Sequence, residues 1–187
     1  MRLVAYAVLT VATVSAHAEG LYLGGGAYLR HYDLGQAGAT DANTPSGYTL
    51  SGKLFGGYDF NDTWAFEGGY VGFGKPAYRY SVNGTASELK AGGNAWYGAI
   101  MASVPFSDQV SFFGKLGLDR HTFDVTGSGA ATALVTHKTS TALYLGTGAQ
   151  YKFSKQLAST LEIEHFGTEP SPGSSLIGVS LNLKYSF

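Results

Sequence analysis

The last eleven residues constrain this chain more than any other stretch. Ile177, Val179, Leu181, Leu183, Tyr185 and Phe187 alternate with Gly178, Ser180, Asn182, Lys184 and Ser186. A period of two places the first set on one face of a β-strand and the second on the other, so one face is wholly apolar. Leu143, Leu145, Ala149, Tyr151 and Phe153 alternate in the same way with Tyr144, Gly146, Gly148, Gln150 and Lys152.

The same alternation, read with the turn signals, predicts strands at Leu21 to Asp33, Gly47 to Phe60, Thr63 to Lys75, Asn94 to Val104, Val110 to Val125, His137 to Phe153, Leu157 to Gly167 and Ser174 to Phe187. The connections alternate in length. Asn61-Asp62, Pro105 to Gln109 and Ser154 to Gln156 are tight, whereas Leu34 to Ser46, Pro76 to Gly93, Thr126 to Thr136 and Thr168 to Gly173 are longer. Pro76, Pro105, Pro170 and Pro172 fall in connections, where a missing N–H costs no ladder bond, and Pro45 borders a strand start.

The N-terminus indicates the compartment. Arg2 is a minimal positive region, Leu3 to Val14 a short apolar core, and Ala16-His17-Ala18 a small-x-small cleavage site, so residues 1–18 are expected to be a signal peptide and the mature chain to begin at Glu19. About 20 apolar residues are needed to cross a bilayer as a helix, and this run falls short. No later segment is apolar for long enough either. A membrane-embedded mature chain must then be a closed barrel, which satisfies its backbone polar groups internally. Composition agrees: 44% of residues are hydrophobic and only 13% charged, too few charges for a water-facing surface. A net charge of −1 supplies no basic field for nucleic acid, and the absence of cysteine removes disulfides and thiolate metal sites.

The aromatic residues mark two levels. Tyr58, Phe60, Trp64, Phe66, Phe106, Phe112, Tyr151, Phe153, Tyr185 and Phe187 lie beside the short turns or the C-terminus and predict a periplasmic girdle. Tyr32, Tyr48, Tyr70, Phe73, Tyr78, Trp96 and Phe123 sit toward the other strand ends and predict an outer girdle. A soluble β-sandwich would bury its aromatics mid-strand instead. The expected fold is therefore all-β, an eight-stranded antiparallel up-and-down transmembrane β-barrel occupying residues 19–187.

Several motifs, in this order, carry a resemblance: Leu21-Tyr22-Leu23-Gly24-Gly25-Gly26, Lys53-Leu54-Phe55-Gly56-Gly57-Tyr58-Asp59-Phe60-Asn61, Phe66-Glu67-Gly68-Gly69-Tyr70, Phe112-Phe113-Gly114-Lys115-Leu116-Gly117, Leu145-Gly146-Thr147-Gly148-Ala149-Gln150-Tyr151 and Leu183-Lys184-Tyr185-Ser186-Phe187. Together they resemble the OmpA-like transmembrane barrels, the opacity or porin-family small outer-membrane proteins. The resemblance implies insertion by the outer-membrane assembly machinery, with Phe187, Tyr185, Leu183 and Leu181 as the assembly signal. Some members add a peptidoglycan-binding domain; the sequence ending at Phe187 leads us to expect none. Glu67 matches an inward glutamate that pairs with basic residues across the lumen in the best-known member. The corresponding later-strand positions look like Met101 and Thr160, so the resemblance implies that this charge arrangement is not kept.

Alternation points Lys53, Asp59, Glu67, Lys115, Asp119, Lys152, Glu162 and Glu164 into the barrel. Eight strands enclose only enough room for side chains, so paired, hydrogen-bonded packing is expected rather than an open pore. A lipid A-modifying enzyme would need a hydroxyl beside a general base. His165 is the available base, but Gly167 stands where lipid A deacylase barrels have serine, leaving Thr168 as a substitute. His31, His121, His137 and His165 all fall toward the extracellular strand ends, where they would form a rim able to take Zn²⁺ or Cu²⁺; their spacing matches no known ligand pattern, and no metal or cofactor is expected.

The expected protein is thus a bacterial outer-membrane barrel with a non-enzymatic structural or adhesin-like surface role. A narrow channel for small solutes is the alternative, and a lipid A-modifying enzyme a further one. Expected partners are outer-membrane lipids and lipopolysaccharide, the assembly machinery, and a host or phage surface ligand met by the loops. A monomer is expected, without nucleic acid.

Overall fold

The structure, a computed structural model, describes residues 20–33, 46–75, 77–82, 85–128, 136–167 and 177–187. Nine strand segments occur among them: β1 Leu21–Asp33, β2 Ser46–Asp59, β3 Trp64–Gly72, β4 Ala77–Val82, β5 Thr85–Pro105, β6 Val110–Ser128, β7 Thr136–Lys152, β8 Leu157–Phe166 and β9 Ile177–Ser186. All pair antiparallel in one sheet. β1 pairs with β9, Tyr22 opposite Ser186, and β3 pairs with β5, so the sheet closes on itself. β3 and β4 occupy one stave, both pairing with β5, which makes an eight-stranded barrel. Closure pairs both sides of the sheet along the β3–β5 seam, while β4 pairs with β5 alone.

The third stave is where the structure departs most from the sequence-based layout. Thr63 to Lys75 was expected as one strand and Pro76 to Gly93 as a long loop. Instead the stave breaks after Gly72, passes through Gly74 at φ +71, and resumes as β4, which pairs residue by residue with the start of β5 from Ala77 opposite Lys90 to Val82 opposite Thr85. Asn83-Gly84, the dipeptide most favoured in two-residue hairpins, links the two and was the missed signal. β5 therefore starts at Thr85 rather than Asn94 and includes Pro105 as its last residue, and β6 runs to Ser128 rather than Val125. The remaining strand ends move by a few residues. The expected signal peptide with Ala16 and Ala18, most of the first, third and fourth long connections, and Pro45, Pro76, Thr168, Pro170 and Pro172 lie outside the described residues.

The three short turns share one construction. In Phe60-Asn61-Asp62-Thr63, Phe106-Ser107-Asp108-Gln109 and Phe153-Ser154-Lys155-Gln156, the phenylalanine N–H donates across the turn to the carbonyls of Trp64, Val110 and Leu157, each at 2.9 Å. The next side chain then accepts backbone N–H groups two or three residues further on: Asn61 from Thr63 and Trp64, Ser107 from Val110, and Ser154 from Gln156 and Leu157. A short polar side chain in this place satisfies donors that the hairpin leaves open.

Outside, the wall is apolar: Leu54, Leu116, Leu118, Leu161, Ile163 and Leu181 are all more than half exposed. An apolar surface of that extent is a membrane surface rather than a soluble one. The periplasmic girdle residues Tyr58, Phe60, Trp64, Phe66, Phe106, Phe112, Tyr151, Phe153 and Tyr185 are exposed on it. In the outer girdle Tyr48 and Trp96 are exposed and Tyr70 is half-buried. Phe73 and Phe123 are corrections: both are buried and stack on each other inside the barrel, because they share the parity of Glu67 and Lys115. The side chains of Tyr32 and Tyr78 lie outside those described.

Candidate functional site: the filled lumen

Inward parity on four strands brings three carboxylates and two ammonium groups to one level. Lys53 on β2 donates to Glu162 Oε2 and Glu164 Oε1, each at 2.7 Å, from β8. Lys115 on β6 donates to Glu67 Oε1 on β3 at 2.7 Å and to Glu162 Oε2 at 2.9 Å. Glu162 thus bridges both lysines. The remaining lone pairs are taken by neutral donors: Tyr97 and Tyr22 to Glu67, Tyr144 and Ser180 to Glu164, and Thr160 and Asn182 to Glu162. Buried charge in low dielectric is tolerated only when paired and saturated in this way.

Aromatic layers lie against the ionic one. Phe55 and Phe113 offer their faces to the lysines, with Lys53 Nζ 5.2 Å from the Phe55 centroid and Lys115 Nζ 5.1 Å from that of Phe113. Tyr97 and Tyr144 stack at 4.5 Å, and Phe166 packs on both as well as on Tyr28 and Phe73. Inward glycines make the room. A Cβ at Gly57 would lie 2.4 Å from the Tyr22 hydroxyl, and one at Gly178 2.2 Å from Tyr28 Cζ.

Of the charges read as inward, Lys53, Glu67, Lys115, Asp119, Glu162 and Glu164 are buried, Asp59 is partly exposed, and Lys152 is exposed among the residues that line a vestibule of about 560 Å³ at the short-turn end. Glu67 corrects the resemblance. It has a basic partner, Lys115, supplied by a strand position other than the two compared. The same alternation turns Arg30, Asn182 and Lys184 inward, and all three are buried. Lys184 sits 3.2 Å from Asp59 and over the Tyr22 ring, and Arg30 lies 5.1 Å from the Phe73 centroid. Among the described residues, four buried cations, Arg30, Lys53, Lys115 and Lys184, then balance four buried acids, Glu67, Asp119, Glu162 and Glu164.

The histidines do not form the expected rim. His121 is buried against Asp119 at 2.5 Å, His31 is exposed beside the Tyr48 ring, and His137 pairs with Asp124 on the outside. His165 is half-buried at the end of β8. Among the described residues no three His, Cys, Asp or Glu side chains are placed to hold a metal. Among the described residues no hydroxyl is hydrogen-bonded to His121 or His165, and Thr168 lies outside them. At the C-terminus, Leu181, Leu183 and Tyr185 face outward, and Phe187 packs on Tyr185 and donates its N–H to the Leu21 carbonyl.

Residues 4–187 match the family described as the outer membrane protein beta-barrel domain. The chain belongs to that family. As an outer membrane protein beta-barrel domain it lies in the bacterial outer membrane. No curated protein sequence matches it. Its structure is similar to that of Ail, the attachment invasion locus protein of Yersinia pestis, in complex with the heparin analogue sucrose octasulfate, at a TM-score of 0.60 and 16% identity over 90% of this chain and 99% of that one. It is also similar to OprG of Pseudomonas aeruginosa, at 0.59 and 13% over 91% and 97%, and to the N-terminal barrel of OprF from the same organism, at 0.52 and 12% over 91% and 100%. At these identities the likeness is one of fold.

Proposed function

We propose that this barrel is a non-enzymatic outer-membrane protein whose role is structural or adhesive and is exerted at its extracellular surface. The packed interior carries this reading. With lysines, carboxylates and aromatic rings filling the lumen, chemistry and transport through the centre have no room, and the loops are left to supply specificity. Within the family we place it beside the OmpA-like barrels, on the motifs given above. Cleavage after Ala18 starts the mature chain at Glu19, and an intact mass of protein extracted from outer membranes should correspond to residues 19–187. Phe187, Tyr185, Leu183 and Leu181 act as the signal read by the assembly machinery.

Ail was crystallised with a heparin analogue, which makes sulfated glycans the first ligands to screen here. Cells displaying the barrel should bind a glycan-coated or host-cell surface, and cells displaying a barrel with residues 34–45 and 129–135 replaced by short Gly-Ser linkers should not, while both proteins keep the gel shift on boiling that marks a folded barrel. Equal binding by the two, together with an altered lipid A mass spectrum on overexpression, would instead favour an enzyme.

A further inference from the structure

The lipid-facing wall has a groove that the barrel's own packing requires only in part, since a Cβ at Gly56 would lie 2.8 Å from Leu23 Cδ2. Across β2, β3 and β5 the register stacks three outward rows: Leu54, Tyr70 and Trp96, then Gly56, Gly68 and Gly98, then Tyr58, Phe66 and Ile100. The wall is dished where the glycines lie between two rows of large side chains. Leu23 stands opposite Gly56 at one end of the row and Leu118 opposite Gly98 at the other. The groove measures about 590 Å³ and lies toward the first of these rows, lined by Leu23, Leu54, Gly56, Gly68, Tyr70 and Trp96. A Cβ at Gly68 or Gly98 would meet its nearest atom at 3.5 or 3.6 Å, an ordinary contact, in contrast to the collisions at inward Gly57 and Gly178. Internal packing therefore leaves these two positions free to carry a side chain, and the dish stays open toward the membrane.

Arg120 is the second observation. β6 sets it beside Trp96 and Thr141, one outward position beyond Leu118 and away from the short-turn end. It is exposed, and no hydrogen bond or ion pair joins it to the described residues; the carboxylate of Asp124, two outward positions further along β6, is engaged by His137. A guanidinium at the extracellular edge of an apolar wall matches a phosphate in planar, two-donor geometry.

We propose that Arg120 and the Gly56–Gly68 groove together seat one lipid A molecule of the outer leaflet, the guanidinium on a glucosamine phosphate and an acyl chain in the groove against Tyr70 and Trp96. The inference rests on the membrane placement, which the gel shift on boiling checks separately. Purified folded protein in dodecyl maltoside would be titrated with diphosphoryl lipid A and with dimyristoyl phosphatidylglycerol, and retained lipid counted by native mass spectrometry. One lipid A should be retained in preference to the glycerophospholipid. Arg120→Gln, which breaks no internal contact, should weaken retention about tenfold, and Gly68→Leu, which fills the groove, should weaken it comparably. In a Trp64→Phe background, Trp96 is the sole tryptophan, and its emission should shift on adding lipid A. Wild-type retention by both variants, loss in only one of them, or equal retention of phosphatidylglycerol would overturn the proposal.

Discussion

Lys115→Met is expected to lower the unfolding free energy by about 3–5 kcal/mol, the range for removing one partner of a buried ion pair. The loss follows from the charge count at that level. Two lysines meet three glutamates there, and without Lys115 only Lys53 remains to hold Glu67, Glu162 and Glu164, with Glu67 left without a cation. Glu162→Gln makes the opposite change. It leaves two lysines with two carboxylates, Lys53 on Glu164 and Lys115 on Glu67, and its amide still accepts a hydrogen bond, so it should cost only about 1–2 kcal/mol. Urea unfolding of the two variants in lipid vesicles, followed by tryptophan emission, measures both. Equal losses would mean that the lysines are held by something other than this carboxylate arrangement.

The second large effect is steric. Gly178 on β9 faces the Tyr28 ring, which is fully buried among Phe73 and Phe166, so the ring has nowhere to retreat from a new methyl group 2.2 Å from Cζ. Gly178→Ala should cost about 1–3 kcal/mol by overpacking, and Tyr28→Ala about 3–5 kcal/mol by leaving a cavity. In the double variant the methyl group occupies part of that cavity, so the combined loss should fall short of the sum by about 1 kcal/mol or more. Strict additivity in the same urea titration would show that the glycine is not there to admit the ring.

These two sites also show what a sequence discloses of such a barrel. Which face a side chain takes is a local property of a strand, and alternation reads it at Lys53, Glu67, Lys115, Glu162 and Glu164, all of them buried. Where local level was used in place of parity, the reading failed: Phe73 and Phe123 look like girdle residues by position but turn inward. Partners across the lumen are not local. That Lys115 meets Glu67 from 48 residues away depends on strand tilt and stagger, which no single strand encodes. The β4–β5 extension was hidden for another reason: its Gly, Ala and Ser content resembles a loop, and only Asn83-Gly84 marked a hairpin. The glycine-tyrosine complements, Gly57 with Tyr22 and Gly178 with Tyr28, lie on different strands and become visible only when the barrel closes.

Side chains fill the lumen, and we propose that the protein works at its outer face. Planar lipid bilayers bearing the refolded wild-type protein at neutral pH test it most directly. The filled interior predicts a flat current trace, indistinguishable from protein-free membranes, across the voltage range the bilayer tolerates. Reproducible ion-conducting steps that appear with the folded protein and disappear after boiling would contradict it, and would make the narrow channel the reading to pursue.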